Sequence, residues 1–495
     1  MSTASLRQLL DGVADTPEAG DIVVSGLSLD SRQVRAGDAF FALRGTRGHG
    51  IEFAASAVAR GARVVLAEAP PIEAEVGAPV LWIDGLHSQV GAIAARFFGH
   101  PSQSLRVIGI TGTNGKTSTV QLLAQALEQL GHRAATIGTL GAGLYGELHE
   151  GERTTPDAIS VQGLLASFRD QGASHVAMEV SSHALQQGRV AAVDFELAAF
   201  TNLTRDHLDY HGSMEAYAAA KAKLFAWPGL QVAAINIDDT FGRELVTKLP
   251  TSVQAWRISA AGDPTADIAA SAIVTSAQGL AFDLHTPWGG SVLRSPLLGR
   301  FNVANLLTVA ACLGALGESF ERIVAVLETL QPVNGRMNRL GGSGAAPLVV
   351  VDYAHTPDAL EQALAALRAH CAGQLICVFG CGGERDAGKR PQMGAIAERL
   401  ADLAIITDDN PRGEDGDLIV AQIVAGLQRP AEVRIERDRA TAIALALSAA
   451  HAGDIVLIAG KGHETYQEGA QGKRAFDDLA VARATLDRVQ SERHA

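Results

Sequence analysis

Gly112-Thr113-Asn114-Gly115-Lys116-Thr117-Ser118 follows the apolar run Leu105 to Ile110, so a turn of small residues ends a buried strand and delivers a lysine and hydroxyls to the start of a helix. Such a turn binds polyphosphate. Glycines let backbone N–H groups close around the anion, Lys116 neutralises it, Thr117 can ligate Mg²⁺, and the helix offers its positive N-terminus. The position that the standard spacing gives to a glycine is Ile110, so the loop is a variant, informative about phosphate and silent about the reaction.

Glu179, in Met178-Glu179-Val180-Ser181-Ser182-His183, puts a carboxylate at the end of an otherwise apolar strand. Burying it without a partner is costly, and a Mg²⁺ shared with Thr117 would supply one; a hydrogen-bonded structural glutamate is the alternative. The loop Thr201 to Gly212 gathers Asp206, His207, Asp209 and His211, either a second wall of a metal and phosphate site or plain surface polarity. Lys221 and Lys223 lie on an alanine-rich helix and, on composition alone, read as solvated.

These residues need a large scaffold. At 495 residues the chain suits about three domains of ordinary size. Hydrophobic residues at 47% and charged residues at 19%, with 52 glycines, describe compact α/β domains. A net charge of −13 argues against generic nucleic-acid or anionic-membrane binding and favours small-molecule chemistry. Four cysteines are too few for a disulfide framework, and Cys377 and Cys381 lack the partners of a zinc site. The start carries no signal peptide and no apolar run reaches the about 18 to 20 residues that span a bilayer, so a cytoplasmic protein without membrane insertion is expected.

Residues 1–100 hold short β-like runs (21–25, 39–43, 62–66, 80–83) and one helical stretch, 51–60. Strand and helix then alternate: strands at 105–110, 175–180, 196–203 and 232–237, with a helix at 214–225, predict a mostly parallel sheet. A β-rich antiparallel flank of this domain over 253–300 precedes helices at 303–316 and 320–330, and a linker at 331–336 leads to a second alternating series with strands at 348–353, 374–379, 403–407 and 454–459. The expected fold is α/β with three domains: a small N-terminal α/β domain (1–100), a P-loop mononucleotide-binding domain (101–334) and a Rossmann-like domain (335–495).

Gly112 to Thr117, Glu179-Val180-Ser181-Ser182-His183, Asn202-Leu203-Thr204-Arg205-Asp206-His207-Leu208-Asp209 and Asn302-Val303-Ala304-Asn305 occur in the order found in the Mur ligases of peptidoglycan synthesis. The resemblance extends over essentially the whole chain. Asp352-Tyr353-Ala354-His355-Thr356-Pro357-Asp358, Gly382-Gly383-Glu384-Arg385-Asp386, Asp409-Asn410-Pro411-Arg412 and Gly460-Lys461-Gly462-His463-Glu464 look like the members that add meso-2,6-diaminopimelate to UDP-N-acetylmuramoyl-L-alanyl-D-glutamate.

The resemblance implies ATP-driven amide formation through an acyl phosphate, which needs three anionic species gathered, neutralised and positioned. It implies that Gly112, Thr113, Asn114, Gly115, Lys116, Thr117 and Ser118 hold the phosphates, and that Asn302, Asn305, Arg336, Asp352 and His355 complete the ATP site. Thr117 and Glu179 would share a first Mg²⁺; His207 would bind a second, supported by Lys221 carbamylated by CO₂ to N6-carboxylysine, with Lys223 as the control. The uridine-diphosphate end would meet Leu29, Ser31, Thr46, Arg47 and Gly48, and the muramoyl peptide Thr154, Thr155, Ser181, Gln187 and Arg189. Arg153 and Asn338 stand where relatives carry Asn and Glu, and Asn338 is given no role.

Arg385, Asp409, Asn410, Pro411, Arg412, Gly460 and Glu464 would form the amino-acid pocket. Diaminopimelate exceeds lysine by one carboxylate, which the guanidinium of Arg412 can pair with in bidentate fashion. Expected partners are therefore these small molecules, with no nucleic acid, and the protein is expected to be a monomer. Rival readings are a lysine-adding ligase, a folate-type glutamate ligase, and a P-loop ATPase switch that would need no acceptor pocket.

Overall fold

The computed structural model describes residues 3–16, 19–45 and 48–494. The chain forms two compact units: Met1–Ser259 with Asp263–Asp267 and Thr308–Glu318, and Ala260–Gly262 with Ile268–Leu307 and Ser319–Ala495.

In the first unit, β1 (Gly26–Ser28), β2 (Asp38–Ala42), β3 (Val64–Glu68) and β4 (Val80–Ile83) lie side by side in that order, all parallel. Phe41 joins a core with Leu86 and Ile93 while its neighbour Phe40 joins another with Ile51 and Ala54. Successive side chains thus feed opposite faces, and both faces are covered, which is why the strand is apolar from Ala39 onward. The helical stretch expected at 51–60 is a 3-10 turn, Gly50–Phe53, followed by Ala54–Ala59. Sequence reading missed the longer helix Leu86–Phe97. Gly91 in its middle weakens the signal, yet a Cβ there would stand 2.5 Å from the Ala191 carbonyl oxygen, so close packing requires the glycine.

The same unit continues with β5 (Arg106–Thr111), β6 (Ala134–Gly138), β7 (Gly141–Leu144), β8 (His175–Glu179), β9 (Phe195–Phe200), β10 (Val232–Asn236) and β11 (Gln254–Ser259). Their order is β11-β10-β9-β5-β8-β6-β7, parallel except for β7. Parallel strands share one carboxyl edge, so the residues that follow β5, β6, β8 and β9 come out on the same side, where ligands of such sheets bind.

The second unit carries an antiparallel series, β12 (Ile268–Ser276), β13 (Gly279–Thr286) and β14 (Gly289–Ser295). Its other sheet is built from β15 (Asn338–Gly341), β16 (Leu348–Asp352), β17 (Leu375–Phe379), β18 (Leu403–Ile406), β19 (Arg434–Ile435) and β20 (Ile455–Ala459), in the order β15-β16-β20-β17-β18-β19 with only β15 antiparallel. Val350 faces one helix-covered core and Val349 the other. The mixed α/β architecture with parallel sheets matches the sequence reading. All four cysteines are free. Among the described residues no helix is long and apolar enough to cross a membrane.

Candidate active site

β5 runs straight into the phosphate loop, and the fully buried Ile110 belongs to the strand, so the cradle itself begins at Gly112. Gly112 has φ +148°, and a Cβ on it would collide with the Thr201 hydroxyl, so this position admits only glycine. The 14-residue helix Lys116–Gln129 starts behind Gly115, which supplies no capping side chain. Its first amides are thereby suited to an anion. The residues after β9 brace the loop: Asn202 Oδ1 accepts from the Asn114 amide at 2.9 Å, and Thr201 Oγ1 donates to the Asn114 carbonyl at 2.7 Å. Lys116 Nζ donates to the carbonyls of Gly112 (2.9 Å) and Thr113 (2.8 Å). Thr117 is buried and Ser118 half-buried behind it.

Glu179 pairs in register with Ile110, one strand over from the loop. It is 1% exposed, and its carboxylate accepts from the Thr139 amide (2.7 Å) and hydroxyl (3.2 Å). Among the described residues no Lys, Arg or His lies within ion-pair distance of it. A buried carboxylate served only by neutral donors fits a cation. Among the described residues no three His, Cys, Asp or Glu are arranged so that they alone could hold a metal ion. Mg²⁺ held by one carboxylate, a hydroxyl, substrate phosphates and water requires no such group.

The solvated reading of Lys221 is overturned. Tyr217, Ala220 and Lys221 form the inward face of the helix Met214–Ala222, and Lys221 is 1% exposed. Its Nζ donates to the Gly112 carbonyl at 2.7 Å and lies 4.4 Å from the centre of the Tyr217 ring. Burial first, then the positive Lys116, pull its pKa down to about 6, while Asp206 opposes more weakly. Lys223, two residues on, is exposed and donates to Gln186 Oε1 at 2.8 Å. Tyr217 hydrogen-bonds Thr113 Oγ1 at 3.1 Å, so this helix is tied to the phosphate loop twice.

His207 is exposed, has φ +53° and lies 3.4 Å from Asp206. Its ring is 4.9 Å from that of His183, which also meets Tyr210 at 4.2 Å and His211 at 5.4 Å. Burial and the neighbouring His207 and His211 hold His183 below the ordinary imidazole value. The loop after β9 is therefore organised around aromatic and imidazole rings.

Thr155 Oγ1 donates to the Glu179 carbonyl at 2.7 Å and accepts from the Ser181 amide at 3.2 Å; Thr154 reaches Thr139 at 3.2 Å. Arg189 donates to the Thr155 carbonyl at 3.0 Å and to Gln187 Oε1 at 2.6 Å. Burial, with Arg153 as a positive neighbour, lowers the Arg189 pKa, so two guanidiniums favour an anion here. In the first sheet, Leu29 is partly buried and Ser31 buried beside the Asp30–Arg32 pair, and Gly48 is exposed. Thr46 and Arg47 lie outside the described residues.

In the second unit Asn302 donates to the Leu298 carbonyl (2.7 Å) and Asn305 to Asn302 Oδ1 (2.8 Å), both buried. Asp352 accepts from the amides of Met337 (2.8 Å) and Ala354 (2.9 Å), and burial pushes its carboxyl up. Arg336 stacks 5.8 Å from the Tyr353 ring, and His355 Nδ1 donates to the Tyr353 carbonyl at 2.7 Å.

A separate cluster gathers at the ends of β17, β18 and β20. Arg412, at φ +51°, donates from Nη1 to the Gly383 carbonyl (2.8 Å) and from Nε toward Glu468 (3.2 Å). Asn410 Nδ2 donates to Glu464 Oε2 at 2.8 Å. Asp409 is 6% exposed, its Oδ1 has no hydrogen-bond partner, and burial raises its pKa. Gly460, at φ +118°, leaves room that a Cβ would take 3.0 Å from Asp409 Oδ2. Pro411 is half-buried, and Arg385 is exposed beside Gly382. Sequence reasoning missed Thr139, Tyr217 and Lys461. Tyr217 had a legible signal, one helical turn before Lys221.

Three family models cover most of the chain: "Mur ligase family, catalytic domain" at residues 23–98, "Mur ligase middle domain" at 110–313 and "Mur ligase, glutamate ligase domain" at 335–462. The UDP-N-acetylmuramoyl-L-alanyl-D-glutamate–2,6-diaminopimelate ligase of Xanthomonas campestris is 58% identical over 483 residues, 97% of each chain. The ligase of the same name from Pseudomonas aeruginosa is 52% identical over 484 residues, 94% of this chain and 96% of that one. A solved structure of an enzyme of this name aligns with a TM-score of 0.76 at 37% identity, covering 99% of this chain and 100% of that one.

Proposed function

Because the chain belongs to the Mur ligase family, we infer that it is an ATP-dependent ligase adding meso-2,6-diaminopimelate to UDP-N-acetylmuramoyl-L-alanyl-D-glutamate. The observation that carries the choice of acceptor is the cluster of Arg412, Asn410, Glu464 and Asp409, in which cationic and acidic groups suit the two ends of a zwitterion. A nucleotide switch has no use for it. Residues 1–100 hold the uridine-diphosphate end, 101–334 ATP and the muramoyl peptide, and 335–495 the amino acid.

The D-glutamyl γ-carboxylate attacks the γ-phosphorus of ATP, breaking its bond to the bridging oxygen and releasing ADP. The diaminopimelate amine then adds to the acyl carbon, loses a proton and expels phosphate. Lys116 and the amides at the start of its helix hold the transferring phosphoryl group and its charge. Mg²⁺ would be held by Thr117 and Glu179, and its chemistry there is charge neutralisation on the phosphates. Lys221 presents an amine whose pKa is pulled down to about 6, so that it can add CO₂, losing one proton and gaining a carboxylate; His207 stands in the loop tied to the same helix. Arg189 and Arg153 meet substrate anions.

Arg412 favours diaminopimelate over lysine by pairing the extra carboxylate. An isotope experiment tests the chemistry. With ¹⁸O in the γ-carboxylate, the phosphate released during turnover is expected to carry the label, and unlabelled phosphate would rule out an acyl phosphate.

A further inference from the structure

Lys461 sits at the centre of the proposed amino-acid pocket. Its side chain is 0% exposed, yet Nζ donates to Glu464 Oε2 at 2.9 Å and to Asn410 Oδ1 at 3.0 Å, lies 3.6 Å from Asp409 Oδ1, and is 5.4 Å from the centre of the Tyr466 ring. Taking an ammonium out of water costs several kcal/mol unless anions and acceptors surround it. Here the two carboxylates and the amide oxygen that compensate it all belong to expected pocket residues.

Asn410 Oδ1 also accepts from the Glu468 amide at 2.9 Å. Two donors on the oxygen fix the orientation of the amide, and its Nδ2 consequently points at Glu464 Oε2. That carboxylate oxygen is then saturated by Lys461 and Asn410, which pins the side chain through one oxygen. Asp409 Oδ1 remains a buried acceptor without a hydrogen bond. Asp409 and Glu464 are like charges, and the Lys461 ammonium between them offsets their mutual repulsion.

We propose that Lys461 is a positioning residue for the amino-acid acceptor, aiming Asn410, Glu464 and Asp409 at the ammonium end of the zwitterion without touching the substrate. The proposal rests on the reading of this cluster as the diaminopimelate pocket. A merely structural lysine would affect folding, or all substrates alike; a positioning lysine acts on one KM.

The test uses full-length K461M and K461Q, checked for native folding by near-ultraviolet circular dichroism, with KM measured separately for meso-diaminopimelate, ATP and the UDP-linked peptide. The KM for diaminopimelate is expected to rise about tenfold or more in K461M, and less in K461Q, which keeps an N–H for Asn410, while the other two stay within about twofold. K461M and N410A should be non-additive in that KM, because one acts through the other. An unchanged KM for diaminopimelate, an equal rise for all three substrates, or loss of folding in both variants overturns the proposal. Wild-type enzyme that fails to use diaminopimelate would instead sink the function on which it rests.

Discussion

Lys221 and Lys461 are both sealed from water, at 1% and 0% exposure, but they are compensated in opposite ways. Lys461 has carboxylates at 2.9 and 3.6 Å and an amide oxygen at 3.0 Å. Lys221 has a backbone carbonyl and an aromatic face, with the positive Lys116 nearby. A buried cation can be paired, or it can give up its proton. The first solution makes a fixed scaffold charge, as suits a pocket that must hold still. The second leaves an amine that holds its proton weakly, which is what the carbamate proposed for Lys221 would need.

The sharpest way to break the contrast is K221A, which should lower kcat by about a thousandfold, the scale of losing a group that stabilises transition-state charge. Short carboxylic acids should partly restore turnover, whereas K223A should leave it within about twofold. An inert K221A would remove the carbamate, and an essential Lys223 would transfer it. On the paired side, Arg439 and Asp478 are both fully buried and joined at 2.7 Å. R439M strands the aspartate and should cost about 3 kcal/mol or more in urea unfolding. R412A should reduce the preference for diaminopimelate over lysine, compared as kcat/KM, by about a hundredfold.

The smallest effect extends the unpaired solution to a histidine. His175 has a buried Nε2 without a hydrogen bond, and burial, then His132 and Arg106, lower its pKa to about 4 against the opposing Glu196 and Glu318. The unfolded chain binds this proton first, so the stability that neutral His175 contributes is present above the unfolded pKa and is lost as pH falls toward about 4. Between about pH 7 and pH 5.5 the loss is about 1 kcal/mol. H175Q should flatten that part of the urea-midpoint profile; an unchanged slope would assign it to other groups.

The parallel strands were legible because burial on both faces makes them continuous apolar runs: 175–180 was expected and His175–Glu179 is found, 348–353 and Leu348–Asp352. The phosphate loop was legible because its strand, glycines, lysine and helix start lie in one contiguous stretch. What tertiary packing decides was not. The helix Leu86–Phe97 hides behind Gly91, which is selected by contact with Ala191 rather than by helix propensity. Lys221 looked solvated because alanines around it carry no signal of burial; Tyr217 at one turn's spacing did, and it marks the inward face. Lys461 stood inside a motif, but its role depends on Asn410, distant in sequence and adjacent only through the sheet.

The most direct measurement is phosphate release from ATP and Mg²⁺ with UDP-N-acetylmuramoyl-L-alanyl-D-glutamate present and meso-diaminopimelate, lysine or no amine added. Release matched by tripeptide product is expected with diaminopimelate, and about a hundredfold less with lysine. Release that ignores the amine, or none with either amino acid, would contradict ligation at this site.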